Sequence, residues 1–208
     1  MTKTLTYVYD DYASADRAVA KAKAAGLADS NISIVASNAD GWHKPRGGDV
    51  DPKHDKDRDG KDDRAEGAAT GGGLGAIAGG AVGLATGLGL MAIPGVGPVV
   101  AVGWLAATAA GALAGGATGG IIGALVESGT SKENAELYAE ALRRGGAIVT
   151  AKVPDDELSR YTPILGESSV DMATRGDSYR SSGWKGYDPA APAYNADQVR
   201  KERESYRV

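Results

Sequence analysis

The chain has 208 residues, 31 of them Gly and only 6% aromatic, so bulky core material is scarce and must be concentrated in part of the chain. A net charge of −4 gives no overall basic field to recruit nucleic acid, and no nucleic-acid-binding signature is present. The lack of Cys excludes disulfides, thiolate metal sites and cysteine nucleophiles.

Met1-Thr2-Lys3 leads directly into a strand-like Thr4-Leu5-Thr6-Tyr7-Val8-Tyr9 run. No basic, apolar and cleavage regions occur in order, so a cleavable secretory signal is not expected and residence on the cytoplasmic side is. Ala15, Ala18, Val19 and Ala22 then recur at helical spacing, Gly26 supplies a stop, and Ile32 and Ile34 alternate. Residues 1–38 therefore predict a βαβ unit, the first half of an α+β domain. Residues 39–66 are polar, with seven Lys or Arg and seven Asp between Lys44 and Arg64, and predict an exposed linker.

Between Glu66 and Glu127 there is no charged residue. Within residues 67–128, Gly67, Gly71, Gly75, Gly79, Gly83 and Gly87 recur every fourth position. After Ile93-Pro94-Gly95-Val96-Gly97-Pro98 a second series runs Gly103, Ala107, Gly111, Gly115, Gly119 and Gly123. A four-residue period of missing side chains lays a smooth ridge along a helix, which predicts two helices packed closely as an antiparallel hairpin. Six glycines in a water-exposed helix would cost roughly 6 kcal/mol, so packing or a membrane must compensate. Helices over 68–92 and 99–126 would measure about 37 and 42 Å, enough to cross a bilayer. Lys and Arg flank the interval on both sides and are absent from the turn, so both soluble ends are expected to face the cytoplasm, with the hairpin in the inner membrane. The competing expectation is a water-soluble hairpin buried in a homo-oligomer or against the α+β domain. A dinucleotide loop fits poorly, because no strand precedes the glycines and their period continues past any phosphate loop.

Thr130-Ser131-Lys132-Glu133 reads as a capping box with Thr130 as N-cap, followed by Ala135, Tyr138, Ala139 and Leu142 on one helical face. Gly145-Gly146 ends that helix, residues 147–153 predict a strand, and Pro154-Asp155-Asp156-Glu157 opens a helix toward Leu165. Residues 129–174 thus form the second half of the α+β domain. The whole predicts a small ferredoxin-like domain (βαβ…αβα) interrupted by a glycine-zipper hairpin. Residues 175–208 mix Ser, Arg, Tyr, Gly and Pro and predict a disordered tail, with a short polar helix near 196–207.

Asp55, Asp57, Asp59, Gly60, Lys61, Asp63 and Glu66 match the spacing of a calcium loop, the Lys61 contribution being its carbonyl. Asp62 stands where an apolar anchor is usual and no helix is evident before Asp55, so a solvated charge run is the favoured explanation, weak Ca²⁺ binding is the alternative, and no other cofactor is expected. His43 and His54 fall in the linker without a catalytic constellation, and Asp10-Asp11 and Asp155-Asp156 precede helices, where acids suit the dipole.

Three segments together carry a family resemblance: Thr6-Tyr7-Val8-Tyr9-Asp10 with Ala15-Asp16-Arg17-Ala18-Val19, Ala92-Ile93-Pro94-Gly95-Val96-Gly97-Pro98, and Ala141-Leu142-Arg143-Arg144-Gly145-Gly146-Ala147-Ile148-Val149. Over residues 4–174 the chain resembles the bacterial general-stress, or heat-induced stress, protein family. The resemblance implies a stress-associated, membrane-associated protein without an established enzymatic activity and supplies no catalytic residues. The expectation is a non-enzymatic protein whose hairpin contacts membrane lipid and forms homo-oligomers. A zipper-built pore is its rival, and the protein partner is left open.

Overall fold

A computed structural model describes residues 1–43, 89–93, 95–114 and 120–206. The described elements are β1 (Thr2–Tyr9), α1 (Tyr12–Ala24), β2 (Ile32–Ser37), β3 (Gly89–Ile93), β4 (Gly97–Val102), α2 (Trp104–Ala114), α3 (Gly120–Glu127), α4 (Lys132–Arg143), β5 (Ala147–Pro154), α5 (Leu158–Gly166), α6 (Met172–Ser181) and α7 (Ala196–Ser205). The class is α+β. One five-stranded sheet has the order β1-β5-β2-β4-β3, and every neighbouring pair is antiparallel. β1 and β2 therefore run parallel with β5 between them.

Local chemistry explains the first unit. Asp11 accepts from the Ser14 N–H at 2.7 Å and caps α1, whose Ala15, Ala18, Val19 and Ala22 are the buried face. Gly26, at φ +102°, turns the chain out of the helix. The other helix cap lies one residue later than expected. Ser131, not Thr130, accepts from the Asn134 N–H, so the position facing back is Asn134 and the box with Glu133 does not form.

The sheet is covered on both faces, and β5, rich in β-branched residues and flanked by β1 and β2, is almost wholly buried. α1 and α5 lie over one face, where Tyr9, Val149, Val153, Tyr161 and Leu165 pack. α2, α3, α4 and α6 lie over the other, with Val35, Val99, Leu105, Ile121, Leu142 and Tyr179.

Two expectations are corrected. The second arm of the predicted hairpin, 99–126, begins as strand β4 and continues as α2 and α3, while 89–92 of the first arm belongs to β3. Val99, Val100 and Val102 favour a pleated strand, and Gly95 and Gly97 at φ +70° and +108° turn Ile93 back onto Gly97 as a β-hairpin. The apolar side chains of this arm, Leu105, Ala106, Ile121 and Leu125 among them, are spent on the domain core. The residues from 175 onward, expected as a disordered tail, hold most of α6 and all of α7, the latter at the place of the short polar helix expected near 196–207. Tyr179 and Val199 are buried, and Asp188, Pro189 and Ala193 lie against the β3–β4 turn. Buried side chains offset the ordering entropy that the polar composition alone does not.

Candidate functional site

Two polar clusters stand out. The first surrounds the start of β5. Glu140, only 4% exposed, accepts from Arg143 at 2.6 and 2.8 Å and from Arg144 at 2.6 Å. Arg144 also donates to Glu202 of α7 at 3.0 Å and lies 4.1 Å over the Tyr179 ring. Burial works against the Arg144 charge, but hydrogen bonding and charge from Glu140 and then Glu202 outweigh it and raise its pKa. Arg203 donates to Asp40 at 2.8 Å and to the Gly145 carbonyl at 2.7 Å, and Arg175 pairs with Asp10 at 2.9 Å beneath Tyr206. Four guanidiniums thus pair with four carboxylates, and Arg144, Arg175, Arg203, Asp10 and Glu202 of this set line a cavity of about 10 Å³, room for one water at most. This cluster is a joint that holds α6 and α7 to the domain.

The second cluster lies on the sheet face covered by α2 and α4. Registry puts Thr6, Thr150 and Ser33 in one row across β1, β5 and β2, with Thr4 and Lys152 in the next row on the same face. The opposite face at this level carries Leu5, Ala151 and Ile32. Gly103, at φ +94°, turns β4 into α2 so tightly that a Cβ there would meet the Ile32 carbonyl at 2.4 Å and Ser33 Cβ at 2.9 Å. Trp104 follows, and the Lys152 ammonium sits 4.0 Å over its ring. Ser33 donates to the Val102 carbonyl at 2.7 Å. The Thr150 hydroxyl and the Trp104 indole N–H are buried without a hydrogen-bond partner. Among the described residues no carboxylate pairs with Lys152.

No family model, curated protein or solved structure matches the chain. The assignment of function therefore rests on the residues themselves.

The calcium-loop positions Asp55, Asp57, Asp59, Lys61, Asp63 and Glu66 lie outside the described residues, as do Gly67, Gly71, Gly75, Gly79, Gly83, Gly87, Gly115 and Gly119. Among the described residues no group of His, Asp and Glu is placed to hold a metal, and no helix is long and apolar enough to cross a membrane. Of the remaining zipper positions, Gly111 lies within α2, whereas Gly103 serves the β4–α2 turn and not a helix ridge. Gly123 is in α3 with open space where its Cβ would be, so no backbone approaches it closely. Asp11 is the cap expected of it, while Asp10 pairs with Arg175. His43 exchanges backbone hydrogen bonds with the Asn38 side chain at 2.9 Å each way.

Sequence reasoning missed the second cluster, although alternation in Thr4-Leu5-Thr6 and Thr150-Ala151-Lys152 puts the polar members of each strand on one face. Trp104 was masked by its place in an uncharged interval that reads as helix.

Proposed function

We propose that this chain is a non-enzymatic, stress-associated protein that acts through contacts between its own copies, made by the glycine-repeat segment 67–88 and based on the α+β domain. The observation that carries this reading is the use of the second arm. Leu105, Ala106, Ile121 and Leu125 are buried under the sheet, Gly103 is a turn, and Gly123 faces open space. Neither Gly103 nor Gly123 offers a helix ridge for the glycine repeat to pack against, and the same repeat on a second copy is the matching surface in this reading. The β1–α1–β2 crossover split by β5 is read as the ferredoxin-like element, extended by the β3–β4 hairpin.

Chain geometry argues against a spanning hairpin. Residues 44–88 leave the sheet after β2 and return at β3, and both strands pair with β4 in one sheet. The chain must come back to the side it left, which takes two crossings of about 20 apolar residues each. Only 22 uncharged residues run from 67 to 88. Stress association is supported by the family resemblance of residues 4–174.

The test is light scattering on the full chain and on Gly79→Leu, with flotation on liposomes alongside. An oligomer that Gly79→Leu reduces toward monomer, with unchanged circular dichroism, is the expected result. A monomer in both overturns the reading, and resistance of the liposome-bound chain to alkaline washing replaces it with an integral membrane protein.

A further inference from the structure

We propose that the Lys152–Trp104–Thr150 cluster is a binding site for a small oxyanion, a carboxylate or a phosphoryl group. Thr6, Thr150 and Ser33 form a row of hydroxyls across three strands, and Thr4 and Lys152 stand beside it, about 7 Å further along the strands. Such a row on a sheet face roofed by helices runs against the apolar filling of the other face. A roofed polar group that finds no partner costs free energy, so its persistence calls for a reason.

Three observations give the site its chemistry. Lys152 supplies one positive charge, with no carboxylate on it among the described residues, and its ammonium is held against the Trp104 ring at 4.0 Å. The Trp104 indole is a donor only, and its buried N–H is unpartnered. The Thr150 hydroxyl, on a residue with no exposed surface, is also unpartnered and projects from the same strand face as Lys152. The cluster is therefore donor-rich around a cation, the complement of an oxyanion with two or more acceptor oxygens. Two features of the fold add to it. The abutment of Gly103 on Ser33 brings the N-terminus of α2 to this row, and the partial positive charge at that end has the same sign as Lys152. Thr4 and Thr6, both half-buried, stand opposite Lys152 and Thr150 in the same two rows. A metal cation is excluded from this place by Lys152 itself.

The site stands independently of the oligomer reading, because its residues belong to the described domain and none lies in 67–88. The experiment follows the three indole N–H resonances of Trp42, Trp104 and Trp184 in the full chain, with Trp104 assigned by Trp104→Phe. Inorganic phosphate and acetate are titrated separately at constant ionic strength set with chloride.

The expected result is a saturable shift confined to the Trp104 resonance. Response to phosphate alone names a phosphoryl ligand, and response to acetate alone names a carboxylate. Lys152→Met, which keeps a long chain on the Trp104 ring, should weaken binding about tenfold or more. Thr150→Val removes the hydroxyl at nearly constant volume and should weaken binding while the melting temperature holds or rises. No saturable shift, an equal shift of all three indoles, or undiminished binding by a folded Lys152→Met or Thr150→Val protein overturns the proposal.

Discussion

Val199 of α7 occupies the space in front of Gly145, so closely that a Cβ on residue 145 would lie 2.4 Å from Val199 Cγ1. Gly145 also holds φ +104°, where an L side chain is strained. Gly145→Ala is expected to cost about 2–4 kcal/mol from the two causes together, and Val199→Ala about 2 kcal/mol from lost burial. The double variant should lose less than the sum, since Ala at 199 relieves the clash and leaves the strain. Urea denaturation of the four proteins measures this, and strict additivity would mean that α7 does not sit on Gly145.

The last forty residues are part of the core in this fold. Tyr179 is buried in the cluster that includes α4, and Met172, Trp184, Tyr187 and Tyr206 pack against that cluster. A chain ending at Gly166 should lose more than about 5 kcal/mol, the whole margin of an ordinary domain, and fail to unfold cooperatively. Limited proteolysis offers the complementary check, with residues 172–206 of the full chain resisting cleavage. Rapid trimming of that segment without loss of the remainder would restore the disordered-tail reading.

Two glycines of the same sequence repeat should respond in opposite directions. Gly103→Ala puts a methyl against the Ile32 carbonyl at an unfavourable φ and is expected to cost several kcal/mol, on the order of 3. Gly123→Ala, in an exposed position of α3 with open space around it, should stabilise by about 0.5–1 kcal/mol. Thermal melts of both variants distinguish a turn glycine from a helix-packing one. A loss at Gly123 would show that another surface covers it.

Glu140 joins Arg143 and Arg144 from within the protein, so Glu140→Ala leaves two guanidiniums without their shared acceptor. The expected loss is about 3–5 kcal/mol, with Glu140→Gln intermediate because it keeps an acceptor oxygen. Chemical denaturation of both variants would reveal a merely superficial pair as a change below about 1 kcal/mol.

Alkali should destabilise the fold through Tyr9 and Tyr179. Burial raises both hydroxyls above the ordinary tyrosine range, Tyr9 with a further push from Tyr7 and Tyr179 against the pull of Arg175. A folded-state pKa above the unfolded value, about 10, means that the folded protein keeps these protons longer. The contribution is fully present below about pH 10 and is lost as pH rises through the folded-state values. Tyr9→Phe should flatten the alkaline fall in melting temperature. It should also cost about 1 kcal/mol at neutral pH, because the Leu165 carbonyl loses the Tyr9 hydroxyl as donor.

Local signals determined the two ends of the α+β domain. Ala15, Ala18, Val19 and Ala22 repeat at helical spacing and face the sheet, Asp11 caps, Gly26 and Gly145 stop, and Ile148 to Val153 form a strand, because caps, stops and periodicity act within a few residues. Tertiary structure alone decided three other matters. The apolar interval reads as helix throughout by its glycine period, yet Val99 to Val102 became a strand because β2 offered an edge to pair with. The polar C-terminal residues order because Val199 meets Gly145, Glu202 meets Arg144 and Arg203 meets Asp40, contacts 54, 58 and 163 positions apart that composition cannot encode. The same holds for the candidate site. Alternation alone brings Thr150 and Lys152 to one face, but only the turn at Gly103 sets Trp104 over Lys152, since long-range contact depends on where distant segments pack.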